Sequence, residues 1–439
     1  MTAKRLLDKS LVDFVKKILA CICNWSFGFF CINAYIIRRL RKPRQVFGNR
    51  KKILHVTCSF DVGGTQRQII NLCTNNNSNF FYHDAIEIFP ESNYLFRKDM
   101  YLDRDRYVKG NIFSRKLGEY TLLSSFRSLQ MIEIYKLVCD FRAERPDVVI
   151  GWGHEVAMLS FVAASIARIP KIIFCIRTFN PSYGWTTIGS TIKRAHNRMM
   201  PYLNGIVVNS SILQDDYSKW LNIKKDMICV CPNGIDIPFF TQEEKFLKRN
   251  RIRNQLGISD DAIVIINIGR FSKEKGQMIL ARAYHRLLEK YPNKKIYCLL
   301  GGDGHTQQIV ENYINTNNLT KFLILGRISE VNQYLSASDI FVMASDFEGM
   351  PNSMMEAMAS GLPCVSTNRT GALDVARDDH EAIYIDVGSV EQLTDKLAYL
   401  IDRPDERQRI GKNAQERLKE FSIEKMVNRF NNYLEEVLK

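Results

Sequence analysis

Two carboxylates, Glu348 and Glu356, stand with seven residues between them in the stretch FEGMPNSMMEAMASGLP, residues 347–363. Ahead of them, Ile340, Phe341, Val342 and Met343 predict a buried strand, and Ser345, Asp346, Phe347, Glu348 and Gly349 predict the loop leaving it. Ser353 is a candidate N-cap for a helix that begins with Met354, Met355, Ala357 and Met358 and stops at Gly361 and Pro363. A strand end, a glycine loop and a helix N-terminus together expose backbone amides and a positive dipole end, which suits an anion. Glu348, in the loop, is placed to meet sugar hydroxyls. Glu356, one turn into the helix, is placed to chelate a ribose diol, as acidic residues do in dinucleotide folds.

Other segments repeat this strand-then-loop pattern. Ile263–Ile268 is a continuous apolar strand followed by Gly269, Arg270, Phe271, Ser272, Lys273, Glu274, Lys275 and Gly276. Residues 295–300 run into Gly301, Gly302, Asp303 and Gly304, and residues 322–325 end at Gly326 and Arg327. Nearer the start, residues 52–60 read as a strand before Gly63, Gly64 and Arg67, with a helix-like run over 68–73. Residues 146–150 lead to Gly151, Trp152, Gly153 and His154, and Lys171–Ile176 ends at Arg177, Thr178, Phe179 and Asn180. Strands alternating with helical segments predict parallel sheets of the α/β class.

The order of these motifs resembles the retaining glycosyltransferases of family 4, the glycosyl transferases group 1, which have the GT-B fold. The resemblance covers roughly residues 52–439 and includes the Pro232-Asn233-Gly234-Ile235-Asp236 marker at the crossover between halves. It implies two facing Rossmann-like domains: an acceptor-side half over 51–240, a nucleotide-sugar-binding half over 241–420, and a C-terminal helix over 421–439 returning to the first half. By the same resemblance Arg270 and Lys275 neutralise a departing nucleoside diphosphate, Glu348 orients the sugar, and Glu356 holds the ribose. Further donor contacts are implied for Gly63 and Gly64, for Gly269, for Gly302, Asp303 and Gly304, for Arg327, and for Gly349, Met350, Pro351, Asn352 and Ser353. His154 stands where relatives carry a cleft histidine. Arg177 departs from the His-Gly common at its position, and with Asn180 it is a candidate for an anionic acceptor. Gly371 and Asp374 replace a more usual Gly-Gly and glutamate. No cofactor and no metal is implied.

Composition constrains the partners. The chain has 439 residues and 46% hydrophobic content, enough for two full cores. Eleven cysteines without a Cys-x-x-Cys spacing read as buried thiols of a reducing compartment. The net charge of +14 is concentrated: residues 1–52 hold thirteen Lys or Arg against Asp8 and Asp13, a net +11, leaving +3 for the rest. That asymmetry, with no nucleic-acid-binding motif, argues against a nucleic-acid partner for the body of the chain and points to a basic N-terminal address. Leu7, Leu11, Phe14 and Ile18 recur at helical spacing beside Lys9, Lys16 and Lys17, and residues 18–37 carry no charge before Arg38, Arg39, Arg41 and Lys42. Basic flanks on both sides favour a helix held in one leaflet over a single span. The expected location is therefore the cytoplasmic face of the inner membrane, with a lipid-linked or saccharide acceptor and a nucleotide-sugar donor, UDP-linked by expectation, in surface polysaccharide assembly.

Residues 90–120 are charged and irregular, and Asp103-Arg104-Asp105 reads as surface. Lys193, Arg194, His196 and Arg198 in residues 192–200 read as a solvated or membrane-facing helix face. Two other functions stay open on the residues alone: a sugar-nucleotide 2-epimerase of the same fold, and a non-catalytic membrane scaffold. The charges at Arg270, Lys275, Glu348 and Glu356 argue against the scaffold, since a dead site would shed costly ion pairs.

Overall fold

The computed structural model describes residues 50–58, 63–88, 127–183, 186–236 and 242–439. The basic N-terminal segment and Asp103-Arg104-Asp105 lie outside the described residues. Among the described residues no helix is long and apolar enough to cross a membrane.

Two six-stranded sheets carry the chain. The first has β1 (Lys51–Thr57), β2 (Phe81–Glu87), β3 (Val148–Trp152), β4 (Lys171–Ile176), β5 (Gly205–Val208) and β6 (Ile228–Val230), in the order β2-β1-β3-β4-β5-β6. The second has β7 (Ile263–Ile268), β8 (Ile296–Gly301), β9 (Phe322–Gly326), β10 (Ile340–Met343), β11 (Cys364–Thr367) and β12 (Ile383–Ile385), in the order β12-β11-β10-β7-β8-β9. Registered neighbours run parallel, β1 with β2 and β3, and β7 with β8 and β10. Parallel strands covered on both faces read as unbroken apolar runs, which is why β4, β7 and β10 stand out in the sequence. Contacts gather the chain into two compact units, one formed by residues up to Ile176 with 195–206 and 434–439, the other by 177–194 and 207–433.

In each sheet the strand order reverses beside the first strand. The chain leaves β7 for β8 and β9, then returns to the other side of β7 as β10. The carboxyl ends of β7 and β10 therefore flank the point where loops diverge, the place where open α/β sheets bind ligands. In the first sheet the equivalent neighbours are β1 and β3. Gly63 and Gly64 follow the first of these, and His154 follows the second.

A buried arginine fixes the opposite end of the second sheet. Arg253, in the helix Gln242–Gln255, is fully buried. Its Nε donates to the Ala337 carbonyl at 3.0 Å, and its Nη1 to the carbonyls of Ser259 and Ala262 at 2.9 and 3.1 Å. Its Nη2 meets Asp339 Oδ2 at 2.9 Å, an oxygen that also accepts from the Val264 amide at 2.7 Å. Ala262 immediately precedes β7 and Asp339 immediately precedes β10. One guanidinium thus ties together the starts of the two strands whose far ends carry Lys275 and Glu348. The charged and polar run over residues 241–261 reads as a linker and entry helix; the helix Gln242–Gln255 lies there, and Arg253 is buried in it because its Nε and Nη1 find backbone carbonyls and its Nη2 finds Asp339.

The first unit buries polar groups too. Lys52, 3% exposed, reaches Asp84 at 3.2 Å and Glu144 at 2.6 Å. Burial pushes the Asp84 carboxyl up, and the Lys52 ammonium pulls the other way. Trp152 Nε1 donates to His55 Nδ1 at 3.0 Å. An indole nitrogen can only donate, so His55 carries its proton on Nε2 and passes a hydrogen bond to His83 Nδ1 at 2.8 Å.

Three local expectations change. The helix after the Glu348 loop spans Asn352–Ala359 with Pro351 at its N-cap, not Ser353. The Pro351 carbonyl accepts the Met355 amide at 3.1 Å, which closes the first turn around Ser353 and leaves it inside the helix. The helix read over 192–200 is longer, Thr186–Met199, and His196 is buried within it rather than lying on the solvated face. Cys58 is exposed, so the thiols are not uniformly buried; Cys175, Cys231, Cys298 and Cys364 are.

Candidate active site

The second sheet assembles its loops by backbone contact. After β7, Phe271 N donates to the Asp303 carbonyl at 2.7 Å, and Gly269 N to the Gly301 carbonyl at 2.9 Å. Gly302 N donates to the Gly326 carbonyl at 2.7 Å, joining the loops after β8 and β9. Gly302 has φ +134°, and a Cβ there would sit 2.0 Å from the Gly269 carbonyl oxygen, so only glycine allows this approach. Asp303 is held by Arg327 Nε at 2.7 Å, and both side chains are solvent-accessible.

The same construction brings the loop after β7 to the loop after β10. Gly276 has φ +68°, and a Cβ would meet the Ala344 carbonyl oxygen at 2.0 Å. Asp346 N donates to the Glu274 carbonyl at 2.8 Å. Through these contacts the Lys275 ammonium forms an ion pair with Glu348 Oε1, and Ser345 Oγ lies 3.4 Å from the same oxygen. Both side chains are partly exposed, Lys275 25% and Glu348 19%. Arg270 stands next to this pair in the chain, 71% exposed, with only a long contact of 3.5 Å to Glu274. Burial pushes the Glu274 carboxyl up, but the Ser272 hydroxyl at 2.5 Å and the Arg270 charge hold it below the usual carboxylate range. Two cations, Lys275 and Arg270, thus gather with two carboxylates, Glu348 and Glu274, on loops at the reversal point of the sheet. An anionic ligand arriving there meets positive charge already in place and does not have to organise it.

The Glu348 loop is fastened on its other side. The Glu348 carbonyl accepts from Gly371 N at 3.0 Å, and Thr367 Oγ1 donates to the Ser345 carbonyl at 2.5 Å. Asn233 Nδ2 donates to Asn352 Oδ1 at 2.8 Å and to the Met350 carbonyl at 3.3 Å, so the crossover marker holds the start of the Glu356 helix. Glu356 lies on that helix, partly buried. Asp374 accepts from the Ser211 amide and hydroxyl and so caps the helix Ser211–Leu221.

Other candidates lie elsewhere. Arg177 is 9% exposed, and its Nη1 donates to the Cys231 carbonyl at 3.0 Å and to Asn233 Oδ1 at 2.9 Å. It braces the crossover segment from inside. Asn180 is 6% exposed and gives its amide and side chain to Asp216 at 2.9 and 2.7 Å. Gly63 caps the helix Gly64–Thr74 in extended backbone, where only the flexible Gln66 side chain crowds a Cβ. His154 opens the helix His154–Ala167 after Gly153 and lies with its ring centroid 5.5 Å from that of His196. Burial pushes His196 down to about 3, with His154 adding to the shift, so His196 is a neutral base at physiological pH. Sequence reasoning did not single out Ser345, Glu274 or Asn233 as site residues. Ser345 had a readable signal, a hydroxyl at the end of a fully buried strand, and Asn233 lies in the Pro232–Asp236 marker; Glu274 is placed by a backbone contact that no spacing reveals.

The profile of the glycosyl transferases group 1 matches residues 248–417, and that of glycosyltransferase family 4 matches residues 83–238. The putative glycosyltransferase EpsF of Bacillus subtilis is 30% identical over 330 residues, 72% of this chain and 79% of that protein. The UDP-Gal:alpha-D-GlcNAc-diphosphoundecaprenol alpha-1,3-galactosyltransferase of Escherichia coli is 24% identical over 64% of this chain and 72% of its own length. Among solved structures, Anabaena HepE in complex with UDP and glucose superimposes with a TM-score of 0.73 at 18% identity, covering 88% of this chain and all of that one. The likeness identifies the fold as GT-B.

Proposed function

The chain belongs to glycosyltransferase family 4, the glycosyl transferases group 1, and on that premise we propose that it transfers a sugar with retention from a UDP-linked donor to a hydroxyl of a lipid-linked saccharide. The observation that carries this reading is the meeting of Lys275 with Glu348 at the carboxyl ends of β7 and β10. The acceptor oxygen bonds to the anomeric carbon on the face from which the diphosphate departs. The bond from that carbon to the phosphate oxygen breaks, its electron pair stays on the phosphate, and the phosphate oxygen takes the acceptor proton. Lys275 and Arg270 offset the charge that grows on the leaving group, and Glu348, released from Lys275 as the diphosphate takes its place, hydrogen-bonds the sugar hydroxyls. No side-chain base and no metal is required in this scheme. The Escherichia coli relative, named for a UDP-galactose donor and a GlcNAc-diphosphoundecaprenol acceptor, supports the donor and acceptor classes.

Slow hydrolysis of a panel of nucleotide sugars in the presence of EDTA tests the reading. One UDP-sugar is expected to be cleaved to UDP; a panel left intact, or cleavage abolished by EDTA, contradicts it. Glu356→Ala is expected to weaken free UDP about tenfold, because a ribose contact is shared by the ground and transition states. Calorimetry with UDP checks this, and equal affinity in both proteins removes Glu356 from the ribose role.

The membrane address belongs to the same proposal. Deleting residues 1–44 removes ten Lys or Arg, two Asp and the uncharged run. The deletion is expected to release the protein from anionic vesicles, each basic residue near the surface contributing about 1 kcal/mol, while UDP binding survives. Sedimentation with vesicles decides it: a truncated protein that still pellets fully places the attraction in the body, and a full-length protein that does not pellet removes the lipid-linked acceptor's main support.

A further inference from the structure

Next to Glu348 the structure holds an aromatic cluster that the glycosyl-transfer reading does not use. Phe347, the residue before Glu348, packs its ring 5.6 Å from that of Phe179 and 5.7 Å from that of Tyr183, and Phe179 lies 5.1 Å from Tyr183. Tyr183 is 43% exposed, and the Arg369 guanidinium lies 5.6 Å above its ring. Asp216 fixes the residue after Phe179: it accepts from the Asn180 amide and side chain at 2.9 and 2.7 Å. Burial pushes Asp216 up against these attractions. Burial pushes the partly buried Asp346 carboxyl up, and the Arg369 charge pulls the other way.

We propose that Tyr183 and Arg369, braced by Phe347 and Asp216, form a pyranose-binding subsite beside Glu348. An aromatic face carries negative charge density and meets the weakly positive C–H face of a sugar ring. A guanidinium held over that aromatic ring keeps N–H donors directed outward at fixed spacing, matching the hydroxyls around the ring edge. A surface tyrosine serving only to cover the core would not need an arginine over its ring. Arg177, by contrast, is turned inward to the crossover segment, so Arg369 is the exposed arginine that this loop cluster offers to a ligand. The subsite rests on the glycosyl-transfer reading for its purpose. The pyranose belongs to the acceptor saccharide or to the donor sugar, and the two are separable.

Saturation-transfer NMR on the full-length protein tests the proposal. One arm uses methyl α-D-glucopyranoside and methyl α-D-galactopyranoside with UDP present; the other uses UDP-glucose and UDP-galactose. Wild type is expected to transfer saturation to pyranose C–H protons. Tyr183→Ala and Arg369→Ala are expected to lose it, Tyr183→Phe to keep it, and all variants to keep saturation of the uridine. Loss confined to the methyl glycosides assigns the subsite to the acceptor, and loss confined to the sugar ring of the nucleotide sugars assigns it to the donor. Pyranose saturation that is absent in wild type, or unchanged in both alanine variants, overturns the proposal. So does a loss of pyranose and uridine signals together, which marks a general disturbance of the loops. Absence of uridine saturation in wild type contradicts the donor reading instead, and the methyl glycosides still report on Tyr183.

Discussion

Lys275→Ala is expected to lower kcat by about 10² to 10³, the loss seen when one preorganised charge contact to a developing anion is removed. The backbone carrying Lys275 is held at the junction of two loops by the Gly276 approach to Ala344 and by the Asp346 amide on the Glu274 carbonyl, so its place in the site is set before substrate arrives. That fixed position is what makes it a transition-state contact, since the leaving diphosphate gains charge only as the glycosidic bond breaks. Folding is expected to change little. The pair with Glu348 is partly exposed, and such pairs add about 1 kcal/mol or less. Steady-state kinetics with the cleaved UDP-sugar, beside a thermal melt, separates the two effects. A Lys275→Ala protein within about threefold of wild type in kcat removes Lys275 from the leaving-group role.

Arg253→Ala is expected to cost about 3 to 5 kcal/mol of unfolding free energy, as removal of one partner from a buried charged network does. The carbonyls of Ala337, Ser259 and Ala262 each lose a donor, and Asp339 keeps Arg249 at 2.9 Å and the Val264 amide at 2.7 Å. Arg253→Met, which fills the space without donors, is expected to recover only part of the loss, because the hydrogen bonds to those carbonyls are not replaced. The variant is expected to keep near-normal UDP affinity at low temperature, where it stays folded, because Arg253 acts at the starts of β7 and β10 and the ligand binds at their ends. Urea unfolding measures the cost. A loss below about 1 kcal/mol shows that solvent replaces the missing donors and that Arg253 is not the anchor described.

The strands were legible because burial on both faces leaves an unbroken apolar run; β4 and β7 lie where such runs begin and end. The convergence of Lys275 and Glu348 was legible for a different reason. Each follows a strand as a short motif, and the order of motifs along the chain is enough to bring both to the reversal point of a doubly wound sheet. What spacing does not encode is the long-range partner. Arg253 sits among Lys248, Arg249 and Arg251 and looks solvated, yet its fate depends on carbonyls that reach it from Ser259, Ala262 and Ala337. His196 sits in a basic run and is buried by the sheet, not by its neighbours in sequence. Ser353 looks like a cap by residue type, but the Pro351 carbonyl closes the turn first. Tyr183, Asp216, Phe347 and Arg369 come from four separate segments, and nothing local to any one of them announces the others.

The stereochemistry of the sugar released or transferred is the most direct test of the central claim. Proton NMR of the reaction of an α-linked UDP-sugar, followed from the first minutes before mutarotation, reads the anomeric configuration of the product. With Lys275 and Arg270 placed for the leaving group, Glu348 assigned to the sugar, and no side-chain base required on the opposite face, the α-anomer is expected to appear first. A β-configured first product contradicts same-face transfer and with it the role given to Lys275 and Glu348.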